Sequence, residues 1–134
     1  MKILLISDIH GNAEALRAVM RAETDADATV FLGDALLSGP QANETLELLD
    51  ELKPIIAIRG NHDDDVLDPS GFHSWPAEWI ALNDWILADL DASAVAKIER
   101  FTDAGLYEFG GISAYLHHGD LGRRDLAAVP DADE

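Results

Sequence analysis

The sequence predicts an α/β fold built on a parallel sheet. Three short apolar runs carry that expectation: "KILLIS" (2–7), "ATVFLG" (28–33) and "PIIAIRG" (54–60). Each has the length and composition of one buried strand. Amphipathic stretches separate the runs, and a β-α-β-α-β succession joins parallel strands through right-handed crossovers. Each run also ends in glycine or serine with Asp, His or Asn close behind, so polar chemistry collects at one edge of the expected sheet.

The elements follow in order. "AEALRAVMRAE" (13–23) sets Leu16, Val19 and Met20 on one helical face, with Asn12 where an N-cap belongs. "ANETLELLDEL" (42–52) aligns Leu46, Leu49 and Leu52, with Glu44 and Glu47 near its positive end. Residues 64–78 are rich in Asp, Pro, Gly and Ser and predict an irregular loop. Helical patterns return in "WIALNDWILADL" (79–90) and "ASAVAKIERF" (92–101), the second capped by Asp91 or Ser93. "GLYEFGGISAYLHHG" (105–119) predicts two short strands about a turn at Gly110–Gly111. In an extended strand, Ile112, Ala114, Leu116 and His118 share one face, and Ser113, Tyr115 and His117 the other. The chain is expected to form a single domain over 1–134, frayed over about 121–134.

Composition narrows the function. A chain of 134 residues builds one core. Its net charge of −17 speaks against a nucleic-acid surface and against an anionic membrane. Such charge is tolerated where salt screens it, which suggests a halophilic setting for this acidic protein. Cysteine is absent, so any metal must be held by His, Asp, Glu or Asn. Asp8 interrupts the first apolar run too early for a signal peptide or membrane span, and the chain reads as cytoplasmic.

In an open parallel sheet, ligands gather beyond the carboxyl ends of the strands. The first strand ends in "SDIHGN" with Asp8, His10 and Asn12. The second ends in "GDALLSGP" with Gly33 and Asp34. The third ends in "RGNHDD" with Arg59, Gly60, Asn61, His62 and Asp63. Asp, His and Asn are oxygen and nitrogen donors suited to Mn, Fe, Zn or Ni. Singly, each has a plain reading as a turn, cap or loop residue. Asn12 reads as a cap, and Asp64, Asp65 and Asp68 as a solvated face. His73 reads as solvent-exposed, Arg123 and Arg124 as surface pairs, and Trp75, Trp79 and Trp85 as core or partner surface.

The ordered set "DIHGN…GD…GNHD…HHG" resembles the calcineurin-like metallophosphoesterase superfamily, and within it the small bacterial and archaeal phosphodiesterase-like members. The resemblance implies an α-β-β-α sandwich and a centre of two divalent metal ions, manganese first, with Fe, Zn, Ni or Mg as alternatives. By position, Asp8 and His10 would hold the first metal and Asp34 would bridge the two. Asn61 and His118 would hold the second. His62 would give a proton or hydrogen bond to the leaving oxygen, Asp63 would orient it, and Arg59 would touch a phosphoryl oxygen. Two cations about 3.5–4 Å apart would neutralise a phosphate ester and acidify water between them. The leaving alkoxide also needs a proton, which favours a nearby imidazole.

Two departures stand out. Leu37 occupies the position of the second Asp in the commoner "GDxxD" motif, as the phosphodiesterase-like subgroup allows. The family's later "GHxH" segment is not found, and no histidine follows His118. The expected consequences are a second sheet lacking its C-terminal part and an exposed edge and apolar face. A homo-oligomer or a further C-terminal segment would cover them. The expected function is metal-dependent hydrolysis of phosphodiesters or phosphomonoesters, by a full-length or a truncated form. The alternative is a non-catalytic binding or scaffold module on the same fold.

Overall fold

A computed structural model describes residues 1–72 and 74–119. The expectations for His73, Arg123, Arg124 and the 121–134 tail fall outside the described residues.

Three parallel strands lie in the order β1 (Ile3–Ile6), β2 (Ala28–Phe31) and β3 (Ile56–Ala57). Ile3 pairs with Ala28 and Val30 with Ile56. The crossovers are α1 (Ala13–Ala22) and α2 (Ala42–Leu52). Asn12 caps α1 as expected, its side chain accepting from the Ala15 amide at 3.0 Å. The third strand is shorter than its apolar run; just past it, Ile58 still donates to Phe31 O at 2.7 Å and meets Thr102 in a single parallel bridge.

The loop expected over 64–78 is largely helical. α3 spans Asn61–Leu67 and a 3₁₀ turn covers Pro69–Phe72. Its Asp-rich composition reads as a loop, yet Asp63 at the third helical position accepts from the Gly60 amide at 2.9 Å and closes the helix start. Acids in a first turn also suit the positive end of a helix. α4 (Ala77–Asp89) and α5 (Ala94–Ile98) follow, and no side chain caps α5 at Ser93. β4 (Gly105–Phe109) and β5 (Ile112–Leu116) form the expected antiparallel hairpin. Gly110 (φ 57°) and Gly111 (φ 78°) turn it in the left-handed region.

Alternation along β2 sorts two cores. Phe31 faces the helices and packs with Leu16, Leu46, Leu49, Ile86 and Ile98. Val30 faces the opposite side, where Ile58 and Leu116 meet Tyr107 and Phe109 of the hairpin. The layers are therefore helices, parallel sheet and a second sheet, of which the described residues supply two strands. Leu5 of β1 is 57% exposed rather than buried, so the first apolar run is covered less completely than its composition suggests. The outer face of the hairpin leaves Leu106 70% and Tyr115 55% exposed, the apolar face expected from the sequence. No helix among the described residues is long and apolar enough to cross a membrane.

Candidate metal centre

The first two strand-end loops extend the β1–β2 pairing past the strands. The Asp8 amide donates to Gly33 O at 2.9 Å, that of His10 to Asp34 O at 3.0 Å, and that of Gly11 to Ala35 O at 2.8 Å. This ladder holds Asp8 (φ 56°), His10 (φ 49°) and Asp34 (φ 63°) in the left-handed region. A residue with a Cβ adopts it at a cost of about 1–3 kcal/mol, sustained when the surroundings over-determine the geometry. Ser38 (φ 77°), later in the second loop, shares that conformation.

The third loop is fastened by Asp63, which is fully buried. Its carboxylate accepts from the amides of Asp34 at 2.8 Å, Ala35 at 2.9 Å and Gly60 at 2.9 Å. It thus joins the β2–α2 loop to the start of α3. This differs from the expected part of orienting His62. Burial pushes the Asp63 carboxyl up to about 6, against the three amides, with the Asp34 charge adding to the rise. Close approach also needs glycine here. A Cβ on Gly33 would lie 2.6 Å from Gly60 N and 2.8 Å from His118 Nδ1, and one on Gly60 would run into Asp34 Oδ1.

Asp34 is the focus. It is 2% exposed, and its Oδ2 lies 3.2 Å from His118 Nε2 and 3.7 Å from His10 Nε2. Its Oδ1 accepts from the His62 amide at 2.9 Å. Burial alone would raise this carboxyl, but the His118 hydrogen bond and charge and the His62 contacts outweigh it, so its pKa falls. For His118, burial opposes the charged form, while Asp34 and the Leu32 carbonyl favour it and raise the group to about 9.

Both flanking histidines are aimed by carbonyls. His10 Nδ1 sits 2.9 Å from Leu37 O, and His118 Nδ1 sits 2.7 Å from Leu32 O. A carbonyl can only accept, so Nδ1 carries a proton in each ring and Nε2 is left to face Asp34. The strand alternation that selected His118 holds, with Leu116 and His118 buried and Tyr115 exposed. His62 meets His10 edge-on at 5.1 Å and Trp75 at 5.0 Å. Burial lowers its pKa, Asp34 opposes that, and His10 adds to it. Its Nδ1 lies 3.3 Å from Asp65 Oδ2, outside hydrogen-bond geometry.

Two ligand sets share Asp34. Asp8, Asp34 and His118 form one and His10, Asp34 and His62 the other, with the donor atoms of each set within 4.8 Å of one another. The grouping departs from the expected pairing of Asp8 with His10. Those two remain neighbours, however, with His10 Nε2 3.7 Å from Asp8 Oδ1. Asn61 is the first residue of α3, next to the His62 amide that holds Asp34. Arg59 is engaged elsewhere. It donates to Phe101 O at 2.9 Å and faces Asp64 at 3.7 Å, which ties it to the segment just after α5 and to α3.

These donors fit divalent cations. A carboxylate this buried needs positive charge, and the ionic partners described for it are imidazoles whose Nε2 atoms converge on it. Trp75 and Trp79, expected as core or partner surface, line a pocket of about 520 Å³ with His10 and His62. Their spacing alone is that of ordinary core residues.

Comparison with known proteins agrees. Residues 1–132 match the family model for calcineurin-like phosphoesterases, and the chain belongs to that family. Its structure is similar to a metallophosphoesterase from Sphaerobacter thermophilus, with a TM-score of 0.73 and 27% identity over 96% of this chain and 51% of that one. It shares its fold with Yfce, a phosphoesterase from E. coli, at a TM-score of 0.50 and 23% identity, covering 97% of this chain and 64% of that one. An uncharacterized protein of Methanocaldococcus jannaschii is 42% identical over 67 residues, 48% of this chain and 27% of that protein. The chain thus spans about half the length of the Sphaerobacter protein and less of the Methanocaldococcus one.

Proposed function

We propose that the chain hydrolyses phosphate esters at a centre of two divalent cations, manganese by preference, held by Asp8, His10, Asp34, Asn61 and His118. The observation that carries this reading is the position of Asp34, a buried carboxylate on which two carbonyl-oriented imidazoles converge. When bound, the cations would neutralise the ester and acidify water. The chain's own part is to set the donors. Asp34 would bridge, and strained loops would fix Asp8 and His10 before any ligand arrives. Hydrolysis joins the oxygen of water to phosphorus, breaks the bond to the alcohol oxygen and returns one proton to that oxygen. His62 is the proposed donor of that proton, because its ring lies beside His10 and lines the adjoining pocket.

The test is hydrolysis of bis(4-nitrophenyl) phosphate with added manganese, together with metal content per chain by elemental analysis. Turnover that Asp34→Ala abolishes and close to two metals per chain would support the reading. A chain that binds no divalent metal would overturn it. The exposed Leu106 and Tyr115 favour a second reading, a binding module on the same fold. That reading predicts that His62→Ala leaves the biological activity unchanged, while substitutions on this apolar face remove it.

A further inference from the structure

Beside the proposed centre, the pocket lined by His10, Ser38, His62, Trp75, Pro76 and Trp79 has a volume of about 520 Å³. That is within the range that holds one ring system, roughly 300–1,000 Å³. Its walls are mainly two indoles and a proline, and no Lys or Arg among the described residues lines it. Two of its residues, His10 and His62, belong to the site itself, so whatever fills it lies next to the reacting group.

The aromatic walls are held in place. Trp75 packs on the buried Phe72 with ring centroids 5.9 Å apart and presents its edge to His62. Trp79 lies in the first turns of α4, on the same helical face as Asn83 and Ile86. Both of those are buried, and Asn83 accepts from the Ser38 amide at 3.0 Å, which ties α4 to the loop that carries Asp34. Trp79 therefore stands at the pocket end of an anchored face, yet it is 48% exposed. A chain of charge −17 gains little from long-range attraction to a phosphate, so beyond the local field of bound cations apolar contact is the source of affinity for the rest of a substrate.

We propose that this pocket seats a planar aromatic group on the leaving alcohol, making the preferred substrates phosphate esters of aryl alcohols or nucleosides. The inference rests on the phosphoesterase reading above and adds a substrate class to it. Trp79 supplies ring contact there, and Trp75 joins that contact to His62.

The experiment measures steady-state hydrolysis, with manganese, of 4-nitrophenyl phosphate, adenosine 5′-monophosphate and glycerol 1-phosphate. Trp79→Ala should raise KM for the two aromatic esters about five- to tenfold, the size of one aromatic pair. It should leave kcat within about twofold and glycerol phosphate unaffected. Trp79→Phe should recover most of the loss, and Trp85→Ala, on the same helix but outside the pocket, should change nothing. A KM effect confined to one aromatic ester identifies that class as the source. An equal effect on all three esters, or on none, overturns the proposal. Should neither these monoesters nor bis(4-nitrophenyl) phosphate be hydrolysed, the phosphoesterase reading fails, and indole fluorescence titrated with adenosine 5′-monophosphate tests the pocket alone. Saturable quenching that Trp79→Ala removes supports it, and its absence overturns it.

Discussion

The strand-end loops and the hairpin contribute to the same site in opposite ways. The loops are polar, bury Asp34 and Asp63 while leaving Asp8 exposed, and carry the strain: Asp8, His10 and Asp34 sit in left-handed backbone, locked by amide–carbonyl pairs and by Asp63. The hairpin is regular and unstrained, turns on two glycines, and leaves much of its outer face apolar and exposed. It places one residue at the centre, His118, at the end of a strand whose inner face rests on the sheet. Geometry that must be fixed to a few tenths of an ångström is built from many short-range bonds. A single arm can be delivered by packing alone.

That contrast can be broken from either side. The largest effect is expected at Asp34, where Asn keeps the shape and removes the charge. Asp34→Asn should lower turnover about 10³-fold or more, corresponding to several kcal/mol of lost charge stabilisation, and reduce bound metal on elemental analysis. Next is the fastening of the loops. Asp63→Ala leaves three buried amides without their acceptor and should lower unfolding free energy by about 3 kcal/mol or more in urea titration, with turnover falling alongside. The hairpin arm comes third. His118→Ala should weaken metal binding on the order of 10²-fold by calorimetry while the urea midpoint moves little, because the hairpin's own apolar contacts remain. The smallest effect is expected on the outer face. Leu106→Ser and Tyr115→Ser should each change stability by about 0.5 kcal/mol or less and leave turnover as it is. A large loss from either would mean that this face is covered in solution.

Much of this was legible in the sequence, and the reasons differ by region. The 3.6-residue spacing of Leu16, Val19 and Met20 and the cap at Asn12 give α1 directly, since local rules decide it. The hairpin followed from paired glycines between alternating residues. That Asp8, His10, Asp34 and His118 come together was foreseeable because strand ends gather at one sheet edge, while their proposed roles as ligands came from the resemblance. α3 was not, because its Asp-rich start reads as a turn and its capping bond depends on Gly60 taking an extended conformation. Asp63, Arg59 and Trp79 were named, but the contacts they make in the structure escaped for a common reason. Their partners are backbone atoms or a cavity from distant elements, the Asp34 and Ala35 amides, the Phe101 carbonyl and the pocket over His62. Residue type carries no trace of such partners.

The bond from His118 to the Leu32 carbonyl spans 86 positions. A chain leaving the ribosome offers Asp8, His10, Asp34 and His62 long before it offers His118. The parallel sheet and its helices close over shorter separations, and contacts of long sequence separation form late because they must first overcome loop-closure entropy. Completion of the cluster is therefore tied to the docking of the final hairpin. Until then Asp34 lacks its nearest imidazole, so metal captured earlier in synthesis would be held more loosely than metal bound after folding.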